Sequence, residues 1–154
     1  MIDLDDFDRR LLAGLQADAS LSLNDLADRV ALSRTACWRR IQRLEEAGAI
    51  RGRVALLDPA ALGLDLTVYV LIKTNQHNRA WAERFAAVVE GIPEVLEAYR
   101  MSGDVDYLLK AVVSDMKGYD RLYERLIAAD LFDVSSSFVM ETLKHTTALP
   151  LERR

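Results

Sequence analysis

The sequence predicts an α+β chain: a helix-turn-helix domain followed by a ferredoxin-like β-α-β-β-α-β domain. Three observations predict it. Residues 22–50 read as two short capped helices joined by a tight turn, behind an earlier amphipathic helix. From about residue 64 on, strand-type and helix-type periodicities alternate in the order β-α-β-β-α-β. Positive charge is concentrated in one place. The formal net charge is −4, yet residues 22–53 hold seven arginines and four acids, a local +3, while residues 1–21 sum to −3 and residues 54–154 to −4.

A first helix is expected over about residues 5–16, where Leu4, Phe7, Leu11, Leu12 and Leu15 share one face. Asp5, Asp6 and Asp8 stand at its start, where the helix dipole favours negative charge. Ser22 caps a second helix, with Leu26, Ala27 and Val30 facing inward, and Ser33 caps a third that runs to about Ala47 and stops at Gly48. The run IRGRVALLDPAALG reads as a short strand leading into a turn, broken at Asp58-Pro59. The domains are therefore 1–52, a linker strand and turn over 53–63, and 64–154. In the second domain, strands are expected over 66–73, 95–101, 106–113 and 134–143, and helices over 79–90 and 116–128. The apolar strand VYVLI after Thr67 is expected to need cover in an assembly, as an exposed apolar edge is an aggregation hazard.

Composition excludes several classes. The chain has 154 residues, 51% of them hydrophobic, enough for one domain or two small ones with proper cores. No apolar run approaches the roughly 18 residues of a membrane span, and the acidic opening MIDLDDFDRR lacks the form of a signal peptide. A cytoplasmic location without membrane contact is expected. Cys37 is the one cysteine and falls on the inward face of the third helix, where a thiol is an inert small hydrophobe. His77 and His145 have no neighbouring ligand cluster, so no metal site is expected. Neither a Gly-rich phosphate loop nor a Ser-His-Asp order is present. No catalytic residues, no cofactor and no enzyme activity are expected.

The third helix carries the chemistry. On a helical wheel Cys37, Ile41 and Leu44 cluster on one side, and Thr35, Trp38, Arg39, Gln42 and Arg43 spread over the other. Arginine reads guanine in a bidentate manner and glutamine reads adenine, so this face suits double-stranded DNA. Thr35 and Trp38 suit thymine methyls, sugar or phosphate. Arg34, Ser22 and Ser33 lie near helix N-termini and suit phosphates, as do the flanking Arg51 and Arg53. A charged stripe alone is usually a solvated face. The three-helix context and both caps favour DNA binding here.

The run LSRTACWRRIQRLEEAGAIRGRVALLDPAALG, with SGDVDYLLK, VSDMKGY and FVMETLKHTTALP further on, resembles the Lrp/AsnC family of feast/famine regulators over nearly the whole chain. The resemblance implies a winged-type DNA domain binding promoter operators. It also implies a ligand and oligomerisation domain, assembly into dimers and octamers, and an amino-acid effector bound between dimers. KTNQHNRAW, RMSGDVDYL and SSSFVME most resemble a subgroup of cysteine-responsive regulators, which makes L-cysteine the expected effector. One departure is Ala31, where the family often has glycine. If that turn needs a positive φ, alanine adds strain of order 1 kcal/mol.

The effector would be met by the loop Ser102, Gly103, Asp104, Val105, Asp106 and Tyr107. A free amino acid offers an ammonium, which needs a carboxylate, and a carboxylate, which needs N–H groups or hydroxyls. Gly103 permits close backbone approach, and Asp106 suits the ammonium. Asp104 and Asp106 equally suit the ordinary chemistry of a hairpin turn. By resemblance, Asp106, Met116, Ser137, Phe138 and Val139 match positions tied to effector response. The function expected is a sequence-specific regulator gated by an amino acid. The alternatives are an effector-independent architectural DNA organiser and, remotely, an enzyme.

Overall fold

The computed structural model describes residues 2–151, so the ends of the expected domains at residues 1 and 152–154 lie outside the described residues. The described chain divides into two compact units: residues 2–56 with 144–151, and residues 57–143.

The first unit is built on three helices, α1 (Asp6–Ala17), α2 (Leu23–Val30) and α3 (Arg34–Glu46). Each starts where a side chain can satisfy an orphan N–H. Asp5 and Asp8 form a reciprocal box: Asp8 N–H donates to Asp5 Oδ1 at 2.9 Å, and Asp5 N–H donates to Asp8 Oδ2 at 3.1 Å. Ser22 and Ser33 cap α2 and α3 through the N–H groups of Asp25 and Ala36. The apolar faces meet in a core of Leu11, Leu26, Ala27, Val30, Cys37 and Ile41. Burial pushes the Cys37 thiol up, against formation of a reactive thiolate. Gly14 allows α1 to approach α2 closely, since a Cβ there would lie 2.9 Å from Leu26 Cδ1. Ala31, between α2 and α3, has φ 55° and ψ 47°, the left-handed conformation that glycine adopts without strain.

Residues 144–151 belong to this unit as well, whereas the sequence analysis placed them with the second domain. Backbone polarity explains it. Leu149 N–H donates to Gln16 Oε1 at 2.6 Å, Gln16 Nε2 donates back to Leu149 O at 3.1 Å, and Arg9 Nη1 donates to Leu151 O at 2.7 Å.

The strand expected after Ile50 does not form. Residues 51–58 carry no regular secondary structure, are exposed and lie outside any sheet, with Val54 79% exposed. No strand among the described residues pairs with this segment, so the wing that the resemblance implied is absent from the single chain. The turn does form. Asp58 Oδ1 accepts from Ala60 N–H, and one 3-10 turn, Ala60–Leu62, ends at Gly63 with φ 72°.

The second unit contains β1 (Leu66–Lys73), α4 (Arg79–Glu90), β2 (Val95–Arg100), β3 (Tyr107–Val113), α5 (Met116–Ile127) and β4 (Asp133–Phe138). The sheet order is β2-β3-β1-β4 with every neighbouring pair antiparallel, which is the ferredoxin-like arrangement. Alternate residues of β1 and β3 (Val68, Val70, Ile72, Leu109, Ala111, Val113) pack on Trp81 and Phe85 of α4 and Leu122 and Leu126 of α5. Tyr69, Leu71, Leu108 and Lys110 alternate with them and lie on the helix-free face, only partly buried. β1 is thus a central strand with both edges paired, not the exposed edge expected from VYVLI. β4 stops at Phe138 rather than Leu143 because its partner is used up. Val139 N–H bonds Thr67 O, and β1 starts at Leu66. No helix among the described residues is long and apolar enough to cross a membrane.

Two predictions follow from the first unit. Replacing Ala31 with glycine removes left-handed strain of about 1 kcal/mol, partly offset by the entropy of an added glycine, so A31G should unfold at higher denaturant in equilibrium melts. The Asp8 N–H and then the Arg40 guanidinium hold the Asp5 carboxyl at about 2, below its ordinary 3.8. With a lowered folded value, the Asp5 contribution is present above 3.8 and is lost as pH falls through about 2. Asp5→Ser keeps a capping oxygen without the charge. Thermal melts between these pH values should show a shallower acid dependence for the variant than for the parent.

Candidate nucleic-acid interface and effector site

The inward face of α3 is Cys37, Ile41 and Leu44, all buried, and this burial fixes what faces out. Thr35, Trp38, Arg39, Gln42 and Arg43 are all exposed, as expected, with Trp38 at 48%. Trp38 lies beside a shallow recess of about 230 Å³, next to Leu21, Leu23 and Ile41, so part of its ring is supported from below. Arg34 and Arg39 are exposed and make no hydrogen bond or ion pair among the described residues.

Arg43 is held differently. Its Nη2 donates to Oδ2 of Asp8, a carboxylate only 1% exposed, while half of the Arg43 side chain remains open to solvent. Arg40 Nη1 donates to Asp8 Oδ1 at 2.9 Å and to Asp5 Oδ2 at 2.7 Å, and its guanidinium lies 5.3 Å from the centre of the Phe7 ring. A groove of about 510 Å³ lined by Asp5, Ala36, Arg39, Arg40 and Arg43 runs between the start of α1 and α3. Sequence reasoning missed Asp8 and Arg40. The legible signal was the Asp5–Asp8 spacing of a capping box.

The expected phosphate contacts divide. Ser33 Oγ accepts from Ala36 N–H and keeps its proton available. Ser22 Oγ also donates, to Asp25 Oδ2 at 2.6 Å, so its proton is taken by the protein rather than offered to a phosphate. Arg53 Nη2 pairs with Glu45 Oε1 at 2.9 Å in a half-exposed bridge, a kind that contributes little to stability and exchanges readily. Arg51 is exposed and makes no such pair among the described residues.

The expected effector residues fall into two groups. In the first, Ser102 and Gly103 form an exposed turn, with Gly103 at φ 116°. Asp104 pairs with Lys73 at 3.0 Å and holds that amine above its usual range, while Val105 is half-buried. Asp106 knits the turn to β1: its N–H donates to Ile72 O, and its Oδ2 accepts from Thr74 N–H at 2.8 Å. Tyr107 packs its ring on Trp81 and Phe85. The second group lies on the other end of the sheet. Met116 opens α5 behind its cap Asp115 and is exposed. Ser137 pairs with Tyr69, Phe138 meets the Tyr119 ring edge-on at 5.0 Å, and Val139 bonds Thr67. From Val68 to Ile72, β1 rises about 14 Å. One protomer therefore does not gather both groups around one amino acid.

Beside the first group lies a recess of about 370 Å³, lined by Thr74, Gln76, His77, Arg100, Asp106 and Tyr107 among others. Arg100 stands opposite Tyr107 in the β2–β3 register and makes no ion pair or hydrogen bond among the described residues. Thr74 N–H occupies Asp106 Oδ2, and among the described residues no hydrogen bond is made to Asp106 Oδ1. Sequence reasoning missed Arg100, because nothing in RMSGDVDYL marks it as facing the same hollow as Asp106. Only the antiparallel pairing of β2 and β3 does.

Comparison with known proteins agrees with this geometry. An AsnC-type helix-turn-helix domain matches residues 4–45, and a Lrp/AsnC ligand binding domain matches residues 67–149. The DNA-binding transcriptional activator DecR of Escherichia coli (strain K12) is 53% identical over 97% of this chain and 99% of that protein. The crystal structure of an AsnC family transcriptional regulator from Agrobacterium tumefaciens is 54% identical over 96% of this chain and 97% of that one, with a TM-score of 0.92. The L-Met complex of a transcriptional regulator from Neisseria meningitidis is 38% identical over 97% of each chain, also with a TM-score of 0.92. With the polar face of α3 exposed and both halves matched, this chain belongs to the Lrp/AsnC family of DNA-binding transcriptional regulators.

Proposed function

We propose that the chain is a sequence-specific regulator whose grip on promoter operators is set by a free α-amino acid, with L-cysteine as the effector. The observation that carries the DNA half is the exposed Arg39, without an ion pair among the described residues, in the middle of an α3 face otherwise made of Thr35, Trp38, Gln42 and Arg43. In a chain of net charge −4, such a patch concentrates attraction for DNA at one helix. Arg39, Gln42 and Arg43 read base edges, Thr35 and Trp38 pack on thymine methyl or sugar, and Arg34, Arg51 and the Ser33 hydroxyl take phosphates.

The effector half rests on the Arg100–Asp106 recess. An amino-acid carboxylate pairs with the Arg100 guanidinium, its ammonium with Asp106 Oδ1, and its side chain lies against the Tyr107 ring. Met116 and Ser137–Val139, on the far end of the sheet, reach an effector only from another copy of the chain. This supports an effector bound between dimers, in a dimer or octamer. The partly apolar helix-free face with Tyr69, Leu71 and Leu108 supports the same self-association. The effector shifts assembly because its affinity differs between assemblies. A cytoplasmic regulator with no catalytic step of its own accounts for these features.

Arg39→Ala should weaken binding to the preferred duplex by about 1–3 kcal/mol at fixed salt in fluorescence anisotropy. Arg51→Ala should weaken all duplexes alike and lower the salt slope by about 1. Unchanged affinity in Arg39→Ala would remove α3 from the interface. In a thermal-shift panel, L-cysteine should raise the melting temperature of the parent but not of Arg100→Ala, since a ligand that binds only the native state stabilises it. A shift with another amino acid and none with cysteine would overturn the effector. No shift with any amino acid would favour an architectural DNA organiser.

A further inference from the structure

We infer that Asp8, which lies on α1 outside the reading face, is a positioning residue for sequence discrimination through Arg43. The inference rests on α3 being the reading helix. Asp8 is 1% exposed, and each of its oxygens meets a different α3 arginine, Oδ1 with Arg40 and Oδ2 with Arg43. Its Oδ2 also accepts from Asp5 N–H, which anchors the carboxylate to the backbone at the start of α1. The capping box thus fixes the carboxylate, and the carboxylate fixes the arginine.

The two arginines differ in what remains to them. Arg40 is committed on several sides, to Asp5, Asp8 and the Phe7 ring, and is only 28% exposed. Arg43 gives Nη2 to Asp8 and keeps half of its side chain in solvent, beside Arg39 on the wall of the same groove. A guanidinium has five N–H groups in a fixed plane, so one bond to a buried carboxylate orients the others. That is the arrangement in which a supporting group holds a contacting group in its productive rotamer before the partner arrives. Asp8 also offsets part of the Arg43 charge, which weakens sequence-independent attraction to phosphates while leaving directional donors for a base edge. Arg39 is exposed and makes no such pair among the described residues, so nothing there fixes its rotamer in advance. The two reading arginines thus differ in preparation, with Arg43 oriented before DNA arrives and Arg39 oriented only on contact.

The test uses the full chain and two probes: the tightest duplex that the parent selects from a randomised pool, and a scrambled duplex of the same composition. Asp8→Asn keeps the volume and removes the charge. Asp8→Glu keeps the charge and displaces it, which guards against a variant that fails to fold. Each should lower the ratio of selected to scrambled affinity by about tenfold, through the selected duplex. In an Arg43→Ala background neither should lower it further. A variant that weakens both duplexes equally, or that lowers the ratio as much without Arg43, would overturn the positioning role, because a merely structural Asp8 would do so. If Arg43→Ala collapses the ratio and both Asp8 variants leave it intact, the positioning role fails alone. If Arg43→Ala leaves the ratio unchanged, the reading role of Arg43 fails, and this inference fails with it.

Discussion

A carboxylate almost wholly removed from water, set between two arginines, organises the DNA-binding unit. Burying Asp8 without partners would carry a heavy desolvation penalty, and removing one partner of a buried pair typically costs about 3–5 kcal/mol. The helices must therefore meet so that Arg40 and Arg43 reach it. Since Arg40 and Arg43 lie three residues apart on α3, satisfying both sets the rotation of α3 about its axis as well as its distance from α1. The apolar seam of Leu11, Leu26, Cys37 and Ile41 supplies attraction without direction. The ion pairs supply direction, and the outward face of α3 inherits it.

In the second unit the comparable constraint is the central place of β1. Its backbone is used on both sides, by β3 and β4, and its side chains alternate between the helix-covered core and the open face. This strand joins the two groups of residues expected from the sequence to meet an effector, and keeps them apart. Asp106 is tied to the end of β1 through Ile72 and to Thr74 just beyond it, and Val139 is tied near its start through Thr67. The sheet therefore holds the two groups at a fixed spacing along β1.

Much of this was legible in the sequence, and the rest fails for specific reasons. Period-2 and period-3.6 patterns placed β1 and α4 at their observed limits, because each has a buried face of regular spacing. Ser22 and Ser33 announced helix starts as caps, and the acids Asp5, Asp6 and Asp8 marked the first helix start. The apolar run after Ile50 misled, since β-propensity cannot make a strand without a neighbour, and Val54 and Leu56 lie exposed. At the site, the outward residues of α3 followed from its inward ones. The pairing of Arg43 with Asp8 and the meeting of Arg100 with Asp106 did not, because both bring together residues whose proximity arises only from tertiary packing or strand register.

The amide clasp between Gln16 and Leu149 has a consequence for how the chain is made. Residues 57–143 are inserted between two segments of the first unit, so that unit is complete only after the inserted one has been synthesised. Domains generally fold as units while the chain emerges from the ribosome. Here α1, α2 and α3 emerge early but wait for residues 144–151 before Gln16 and Arg9 find their backbone partners. The helices of the helix-turn-helix unit are thus the first to appear and the last to be finished.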